Sequence, residues 1–452
     1  MSSILFHSTN CQSPPVDLRE ALLQGQAPDR GLYFPKEFPR LSPAEIAAFA
    51  DLPYHEIAFR VLSRYTEGIV PGPDLAAMCH SAYNFRVPLE KIHDRVFLMR
   101  LDQGPTASFK DFAAQMMARL FGRFLQTDGR QVTILTATSG DTGAAVAHAF
   151  HHIPGVRVFV LFPIGEISES QRKLMTTLRD NVRTIAIEGK FDDCQAIVKR
   201  AFGDPELKHI PLSSANSINI GRLLPQSVYY FYAASRLAQP GEPIVFSIPS
   251  GNFGDMMGAV VAREMGLPIR KIIASVNDND AFPRFLQSGV YQKISPSRNS
   301  VSNAMNVGHP SNLARLVAVY GGSMDETGMI HRQPDLAAMR RDLFSTSVSD
   351  ARTVAGLRDF WNQFQLLLEP HGAVAWQGFR DWIATEPLGN SPAVIVETAN
   401  PAKFPVEVEK VVGWPPDVPE NMLAALKLTE DFDRLDADYD QFKAYLLKAH
   451  AP

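Results

Sequence analysis

Residues 132–143, Val-Thr-Ile-Leu-Thr-Ala-Thr-Ser-Gly-Asp-Thr-Gly, decide the fold class of this chain. An apolar, β-branched run leads directly into a glycine-rich loop, and the small apolar residues 144–150 that follow favour a helix. The same alternation of strand and helix continues through residues 156–202. Because parallel strands are joined by crossovers that usually contain a helix, this order predicts a parallel sheet covered by helices.

A second α/β unit is predicted further along the chain. Residues 244–276 repeat the order strand, helix, strand, and residues 393–397 indicate one more buried strand. Residues 310–385 and the charged segment beyond 415 are predicted to be helical. The predicted organisation is an N-terminal, mainly helical domain at 1–95 and a region at 96–452, composed of a small α/β unit (130–215), a large α/β unit (96–129 and 216–415) and a C-terminal helical segment (416–452).

Composition excludes several classes of function. The net charge of -4 provides no basic field for nucleic acid or for an anionic membrane surface. The three cysteines are scattered and match neither a disulfide framework nor a zinc spacing, so no metal site is predicted. The N-terminus lacks the pattern of a signal peptide, and no apolar run reaches about 18 residues. We therefore expect a cytoplasmic protein without a membrane segment.

One lysine lies in an unusual setting. Residues 104–113, Gly-Pro-Thr-Ala-Ser-Phe-Lys-Asp-Phe-Ala, place Lys110 between a turn and an apolar run that favours a helix. Burial at such a junction would lower the pKa of the amine, which a lysine needs to form an imine with an aldehyde. The alternative is a lysine at a helix start whose amine reaches solvent.

Loops at the carboxyl ends of the predicted strands are candidate binding sites, because ligands collect there in open α/β sheets. The loops at 139–143 and 250–255 are rich in glycine and precede helices, an arrangement that suits an anion. Neither contains a dinucleotide or P-loop motif. Thr398 follows the last strand, and Asn219 and Arg222 lie three residues apart in a further segment. Helix caps and ordinary turns are the structural alternatives for these segments.

Taken together, these segments resemble the threonine synthases, pyridoxal-phosphate enzymes of the tryptophan-synthase-β-like fold (fold type II). The resemblance spans nearly the whole chain in family order. It is carried by residues 21–35, 104–111, 139–143, 216–226, 251–255, 306–312 and 397–404. It implies a fold of two parallel-sheet α/β units preceded by the mainly helical domain, with pyridoxal 5'-phosphate as cofactor.

The resemblance also implies roles for individual residues. Lys110 would form the imine with the cofactor aldehyde. The cofactor phosphate would be bound by Gly251, Asn252, Phe253, Gly254 and Asp255, with Thr398 at the pyridine nitrogen. The substrate carboxylate would be bound by Ser139, Gly140, Asp141, Thr142 and Gly143, and the substrate phosphate by Asn219 and Arg222. A neutral threonine at the ring nitrogen would not hold a full pyridinium.

The implied reaction converts O-phospho-L-homoserine and water into L-threonine and phosphate, the chemistry of a carbon-oxygen lyase acting on phosphates. One alternative is a related phospho-lyase that releases 2-oxobutyrate or acts on another phosphorylated or phosphonate amino acid. Another is a catalytically silent binding protein, against which Lys110 argues. Asp102 and Gln103 replace an aromatic residue and a histidine usual in the family, which leaves the product open. The small phosphorylated substrate is the expected partner, and the chain is expected to be a monomer or a homodimer.

Overall fold

The computed structural model describes residues 4–450. Its strands form two larger, mainly parallel sheets and two short antiparallel sheets of two strands each. In chain order they are β1 Phe6–Ser8, β2 Tyr33–Pro35, β3 Leu89–His93, β4 Val96–Arg100, β5 Val132–Ala137, β6 Val156–Pro163, β7 Val182–Glu188, β8 Leu212–Ser214, β9 Ile244–Pro249, β10 Ile269–Val276, β11 Ser323–Met324, β12 Ile330–Arg332, β13 Leu343–Ser347, β14 Ala393–Glu397 and β15 Asp433–Asp436.

The helices cover both faces of the sheets and form most of the N-terminal region. They are α1 Leu18–Gln24, α2 Pro43–Ala47, α3 Tyr54–Thr66, α4 Gly72–Ala82, α5 Lys110–Asp128, α6 Asp141–Phe150, α7 Glu169–Thr176, α8 Phe191–Gly203, α9 Ser227–Leu237, α10 Gly254–Glu264, α11 Ala281–Ser288, α12 Leu313–Val319, α13 Leu336–Asp342, α14 Asp350–Phe364, α15 Pro370–Ile383, α16 Pro405–Val412, α17 Glu420–Leu426 and α18 Tyr439–Ala449. Between residues 4 and 450, no helix combines the length and apolar character needed to cross a membrane.

The larger sheet has the strand order β13-β10-β9-β14-β4-β3. All neighbours pair in parallel except β3 and β4, which are antiparallel. The sequence analysis did not predict β3, and it placed β13 inside a helical segment. The residues of β13, Leu-Phe-Ser-Thr-Ser, do not form an apolar run, because this strand lies at the edge of the sheet and is only partly buried.

The smaller sheet has the order β15-β7-β6-β5-β8, and all its strands are parallel. Strand β15 comes from the C-terminal segment that was predicted to be helical throughout. It pairs with β7 at the sheet edge and its side chains are largely exposed, so its charged sequence carries no strand pattern. The two α/β units and the mainly helical N-terminal region are as predicted, while the predicted domain boundaries stay a prediction.

A buried arginine joins the N-terminal region to the large unit. The guanidinium of Arg315 is fully buried and donates to the carbonyl oxygens of Tyr33, Ser217 and Ile218. Burial lowers the pKa of Arg315 to about 9. Because Ser217 also lines the cavity described next, this contact connects the N-terminal strand pair to the candidate site.

Candidate active site

Lys110 is the first residue of α5, at the predicted junction of loop and helix. Its Nζ lies 3.5 Å from Oδ2 of Asp141, and only 12% of its side chain is exposed. Burial lowers the pKa of Lys110; Asp141 opposes this effect, and the cations Lys403 and Arg222 add to it. The amine is therefore a buried group with a raised neutral fraction, and the solvated alternative does not apply.

The turn before Lys110 is held by the carboxylate of Asp111. The backbone N–H of Thr106 donates to Asp111 Oδ2 at 2.9 Å, and the Thr106 hydroxyl donates to Oδ1 at 2.7 Å. A Cβ added to Gly104 would lie 2.6 Å from Asp111 Oδ2. This close approach explains the glycine, and it sets the direction in which Lys110 leaves the turn.

Backbone hydrogen bonds attach the same turn to the segment after β14. The N–H of Phe109 donates to the carbonyl of Thr398 at 2.9 Å, and the N–H of Asn400 donates to the carbonyl of Ala107 at 3.1 Å. Strand β14 pairs with β4, which leads into the lysine turn. The sheet thus brings Lys110 and Thr398 to one cavity although they are far apart in sequence.

The loop at 139–143 lies partly in this cavity. Ser139, Asp141 and Thr142 line it, whereas Gly140 and Gly143 do not. The N–H groups of both glycines donate to the hydroxyl of Thr138, at 2.9 and 2.7 Å. These two N–H groups are thus bonded within the loop, and the predicted contact of the glycines with a substrate carboxylate stays a prediction.

Asp141 carries a negative charge in this loop. Its Oδ1 lies 3.1 Å from Nζ of Lys403, and it accepts a hydrogen bond from Gln171 Nε2 at the same distance. Burial disfavours the charge of Asp141, but Lys403 and Lys110 outweigh it and hold the pKa of Asp141 below its usual range. The side chain of Asp141 thus contacts two cations, Lys110 and Lys403, and its predicted contact with a substrate carboxylate stays a prediction.

The second glycine-rich loop follows β9 and precedes α10. Gly251, Asn252, Phe253, Gly254 and Asp255 all line the cavity. Phe253 has a positive φ of 63°, which turns the chain into the helix. Gly251 packs closely on the backbone of residues 304 and 305. The N-terminus of α10 thus faces the cavity, and its N–H groups suit an anion there.

Asp255, in the first turn of α10, differs from the other residues of this loop. The hydroxyls of Tyr229 and Tyr230 donate to its Oδ1 at 2.5 and 2.6 Å, and its Oδ2 is buried without a partner. Burial raises the pKa of Asp255 to about 6, although both tyrosines act against this. A carboxyl group held in this way anchors the helix start, and the predicted contact of Asp255 with the cofactor phosphate stays a prediction.

Arg222 is the cation of the cavity that has no acidic partner. It is 3% exposed, its Nη1 donates to the carbonyl of Ala215 at 2.7 Å, and its Nε has no partner. Within residues 4–450 no carboxylate forms an ion pair with it. Burial lowers its pKa to about 10. A buried guanidinium without a counter-charge is costly unless an anion binds.

Asn219 does not line this cavity. Its amide nitrogen donates to the carbonyls of Leu22 and Ser214, both at 2.9 Å, and its oxygen accepts from the N–H of Gly221 at 2.9 Å. All of these contacts are with the backbone. The side chain of Asn219 therefore fixes the turn before Arg222, and its predicted contact with a phosphate stays a prediction.

Several cavity residues escaped the sequence analysis. Those not assigned from the sequence include Asn216, Ser217, Gln226, His371 and Met305. Asn216 and Gln226 lay inside a segment that already resembled the family, so their amides were a usable signal. The cavity adjoins a cleft of about 1480 Å³, and both are lined by Asn216 and Ser217. The cleft provides a route from solvent to Lys110.

Asp102 and Gln103, the two departures from the family pattern, do not line the cavity. Asp102 is buried and accepts hydrogen bonds from Arg100, Asn400 and Gln103, each at 2.8 Å. The pair therefore forms a structural network beneath the turn of Lys110 and does not touch the space in which a substrate would lie.

Comparison with known proteins agrees with this geometry. Residues 85–398 match the family described as pyridoxal-phosphate dependent enzyme. Residues 5–83 match the threonine synthase N terminus, and residues 372–446 match the threonine synthase C-terminal family. The fold and the lysine-centred site together define a pyridoxal-phosphate dependent enzyme of fold type II.

Similar proteins of known identity show which family within this class of enzymes the chain belongs to. The chain is 40% identical to the threonine synthase of Haemophilus influenzae over 96% of this chain and 97% of that protein. A crystal structure of pyridoxal-phosphate-bound threonine synthase from Brucella melitensis matches with a TM-score of 0.91 and 35% identity, covering 99% of this chain and 100% of that one. The Escherichia coli threonine synthase structure matches with a TM-score of 0.88, also at 35% identity, over 99% and 100%. The chain belongs to the threonine synthase family, which confirms the predicted fold and cofactor.

The residues present fit this cofactor. A buried amine of lowered pKa is available to its aldehyde, and a helix N-terminus faces the same cavity as an anion site. Nε of Arg222 and Oε1 of Gln226 have no protein partner and are therefore available to a ligand in the cavity. The cavity thus combines a buried amine, a helix N-terminus and the hydroxyl-bearing Thr398.

Proposed function

We propose that this chain converts O-phospho-L-homoserine and water into L-threonine and phosphate, with pyridoxal phosphate held on Lys110. The observation that carries this proposal is that the buried amine of Lys110 and the unpaired guanidinium of Arg222 open into one cavity. When bound, the cofactor withdraws electrons from the carbon atoms next to the substrate amine. A reactive amine beside a site for a phosphate dianion suits a phosphorylated amino acid.

Lys110 is the proposed proton carrier. Burial lowers the pKa of its amine, so that, once free, it takes the proton from Cα of the substrate and acts next at Cβ. Asp141 keeps the amine close to its working position through the 3.5 Å contact. Ser139 and Thr142, which carry hydroxyls into the cavity, are the proposed donors to the substrate carboxylate. Fixing that carboxylate decides which bonds of the substrate align for cleavage.

Two phosphates require two anion sites. The loop of Gly251, Asn252, Phe253 and Gly254 at the start of α10 is the proposed site for the cofactor phosphate, with Asp255 anchoring the helix beneath it. Arg222 is the proposed ligand of the substrate phosphate, since a planar guanidinium binds phosphate oxygens well. Neutralising the phosphate as it leaves from Cγ would favour its release, after which water is added at Cβ.

A product assay tests the reaction. Purified protein reconstituted with pyridoxal phosphate is incubated with O-phospho-L-homoserine, and phosphate, threonine and 2-oxobutyrate are measured in the same samples. We expect threonine and phosphate in equal amounts, and loss of both with Lys110→Ala. Lys199→Ala, at an exposed lysine of the cleft, is the matched control. Phosphate released with 2-oxobutyrate as the sole organic product would overturn the proposal in favour of the phospho-lyase.

We also propose that the protein works in the cytoplasm, as a monomer or a homodimer. All three cysteines are free thiols, and Cys79 and Cys194 are buried without a disulfide partner, which suits a reducing compartment. Analytical ultracentrifugation of the reconstituted protein would distinguish the two states of association.

A further inference from the structure

Behind Thr398 lies a carboxylate that accepts four hydrogen bonds. Glu369 is the N-cap of α15, and it accepts from the backbone N–H groups of His371 at 2.7 Å and Gly372 at 3.2 Å. It also lies 2.5 Å from Nδ1 of His371 and accepts from the hydroxyl of Thr398 at 3.2 Å. Glu369 is fully buried. The network therefore connects the N-terminus of a helix to a residue of the active-site cavity.

The tautomer of His371 follows from its other neighbour. The backbone N–H of Ala304 donates to Nε2 of His371 at 3.2 Å, so Nε2 carries no proton. The ring proton is then on Nδ1 and is donated to Glu369. All four contacts of Glu369 come from donors, which is the pattern of an ionised carboxylate.

A second glutamate supports the charge of Glu369. The backbone N–H of Glu369 donates to Oε1 of Glu397 at 2.7 Å. Burial, and next the neighbouring Glu369, raise the pKa of Glu397 well above its usual range, which favours its neutral form. A Cβ at Gly372 would lie 1.5 Å from Glu397 Oε2, so only glycine allows this approach. The four donors around Glu369 favour placing the negative charge of the pair on that residue.

The hydroxyl of Thr398 has one hydrogen, which it donates to Glu369 in a hydrogen bond. The Thr398 oxygen is left with lone pairs for the cavity that this residue lines. We propose that Thr398 accepts a hydrogen bond from a protonated ring nitrogen of pyridoxal phosphate, and that Glu369 acts through Thr398 to stabilise that pyridinium. The inference rests on the proposed function and on the place at the ring nitrogen that the family resemblance implies for Thr398.

A protonated ring nitrogen is the reverse of what the sequence led us to expect, because a neutral threonine alone would not hold a pyridinium. The difference arises from Glu369, which stands 29 residues before Thr398 and has no sequence motif of its own. A protonated ring withdraws more electrons from the substrate. Glu369 is thus a positioning residue, since it acts on the ring only through the Thr398 hydroxyl.

The protonation state of the ring nitrogen is measurable by NMR. The apoprotein is loaded with pyridoxal phosphate labelled with ¹⁵N at the ring nitrogen, and the ¹⁵N resonance of the holoenzyme is compared with those of protonated and neutral pyridine references. We expect the wild type at the pyridinium position. In Glu369→Gln the amide would donate to Thr398, whose hydrogen would turn to the ring, and the resonance should move toward neutral pyridine. Thr398→Ser should keep the wild-type position, as should Glu67→Gln at an exposed glutamate.

If Glu369→Gln does not fold, the wild-type ¹⁵N resonance still decides whether the ring nitrogen is protonated, and a binding measurement tests whether Thr398 is its hydrogen-bond partner. The dissociation constants of pyridoxal phosphate and of its 1-deaza analogue, which has C–H in place of the ring nitrogen, are compared for the wild type and Thr398→Val. We expect the wild type to prefer pyridoxal phosphate by about tenfold, the contribution of one hydrogen bond, and the valine variant to lose this preference.

The outcomes separate the two proposals. A wild-type resonance at the neutral pyridine position, with the label bound on Lys110, would overturn the role of Glu369 and leave the proposed function standing. Failure of the label to bind on Lys110 would overturn the proposed function, and the inference with it.

Discussion

Asp141 lies between two lysines: its Oδ1 is 3.1 Å from Nζ of Lys403, and its Oδ2 is 3.5 Å from Nζ of Lys110. Lys403 is fully buried, so this ion pair is shielded from water. Burial lowers the pKa of Lys110, and the positive charge of Lys403 lowers it further. The charge balance at the reactive amine is therefore set by a second lysine that does not line the cavity.

We expect Lys403→Met to raise the pKa of Lys110, because a neighbouring cation is lost and Asp141 is left with Lys110 alone. Only the neutral amine reacts with an aldehyde, so the rate of cofactor uptake by the apoprotein should rise with pH through the pKa of Lys110. The midpoint of that profile should move to higher pH in Lys403→Met and remain in place in Lys199→Met. An unchanged midpoint would contradict the coupling.

Arg222→Met should separate substrate binding from cofactor binding. Because the guanidinium has no acidic partner, removing it should leave the thermal midpoint of the ligand-free protein unchanged or higher. The KM for O-phospho-L-homoserine should rise at least about tenfold, the range of one charged hydrogen bond. Arg200→Met, at an exposed arginine of the cleft, should change the KM much less. A weakened cofactor affinity with an unchanged KM would assign Arg222 to the cofactor phosphate instead.

Gly104→Ala should disturb the turn that carries Lys110. The new Cβ would lie 2.6 Å from the Cβ and Oδ2 of Asp111, so the carboxylate that holds Thr106 must shift. We expect weaker binding of pyridoxal phosphate and a destabilisation of roughly 1–3 kcal/mol. Gly72→Ala, with no atom within 4 Å of its new Cβ, is the control and should retain wild-type affinity. Equal cofactor affinity in the two variants would show that the turn does not position Lys110.

Asp255 should make the stability of the apoprotein depend on pH. Burial raises its pKa from an ordinary value of 3.8 to about 6, so folding favours the protonated form. The stabilisation is complete below pH 3.8 and is lost as the pH rises through about 6. Its loss amounts to an order of 3 kcal/mol.

The measurement compares the free energy of unfolding of wild type and Asp255→Asn between pH 4 and about 7. The groups that face Asp255 are Tyr229, Tyr230 and Lys110. Relative to the variant, the wild type should lose stability with rising pH, whereas Asp417→Asn at an exposed position should follow the wild type. Parallel curves for wild type and Asp255→Asn would contradict the prediction.

Local sequence predicted those parts of the site that depend on one segment. Lys110 begins a helix, and the glycine-rich loops and Thr398 follow buried strands, because apolar runs, glycines and cap residues act on their own neighbours. The partners of these residues were not predictable in this way. Lys403 and Glu369 reach the site through side chains whose targets lie far away in sequence.

The amino-acid sequence by itself determined the alternation of strands and helices, the position of Lys110 at a helix start and the loops able to bind anions, since each follows from residues close together in the chain. Tertiary structure alone decided which polar groups reach the cavity. Asn219 and Arg222 lie three residues apart. The amide of Asn219 is bonded to backbone groups, whereas the guanidinium of Arg222 lines the cavity, and its Nε has no partner. Burial and hydrogen-bond partners depend on segments that meet only after folding. The hydrogen bond from the Thr398 hydroxyl to Glu369 is a further example.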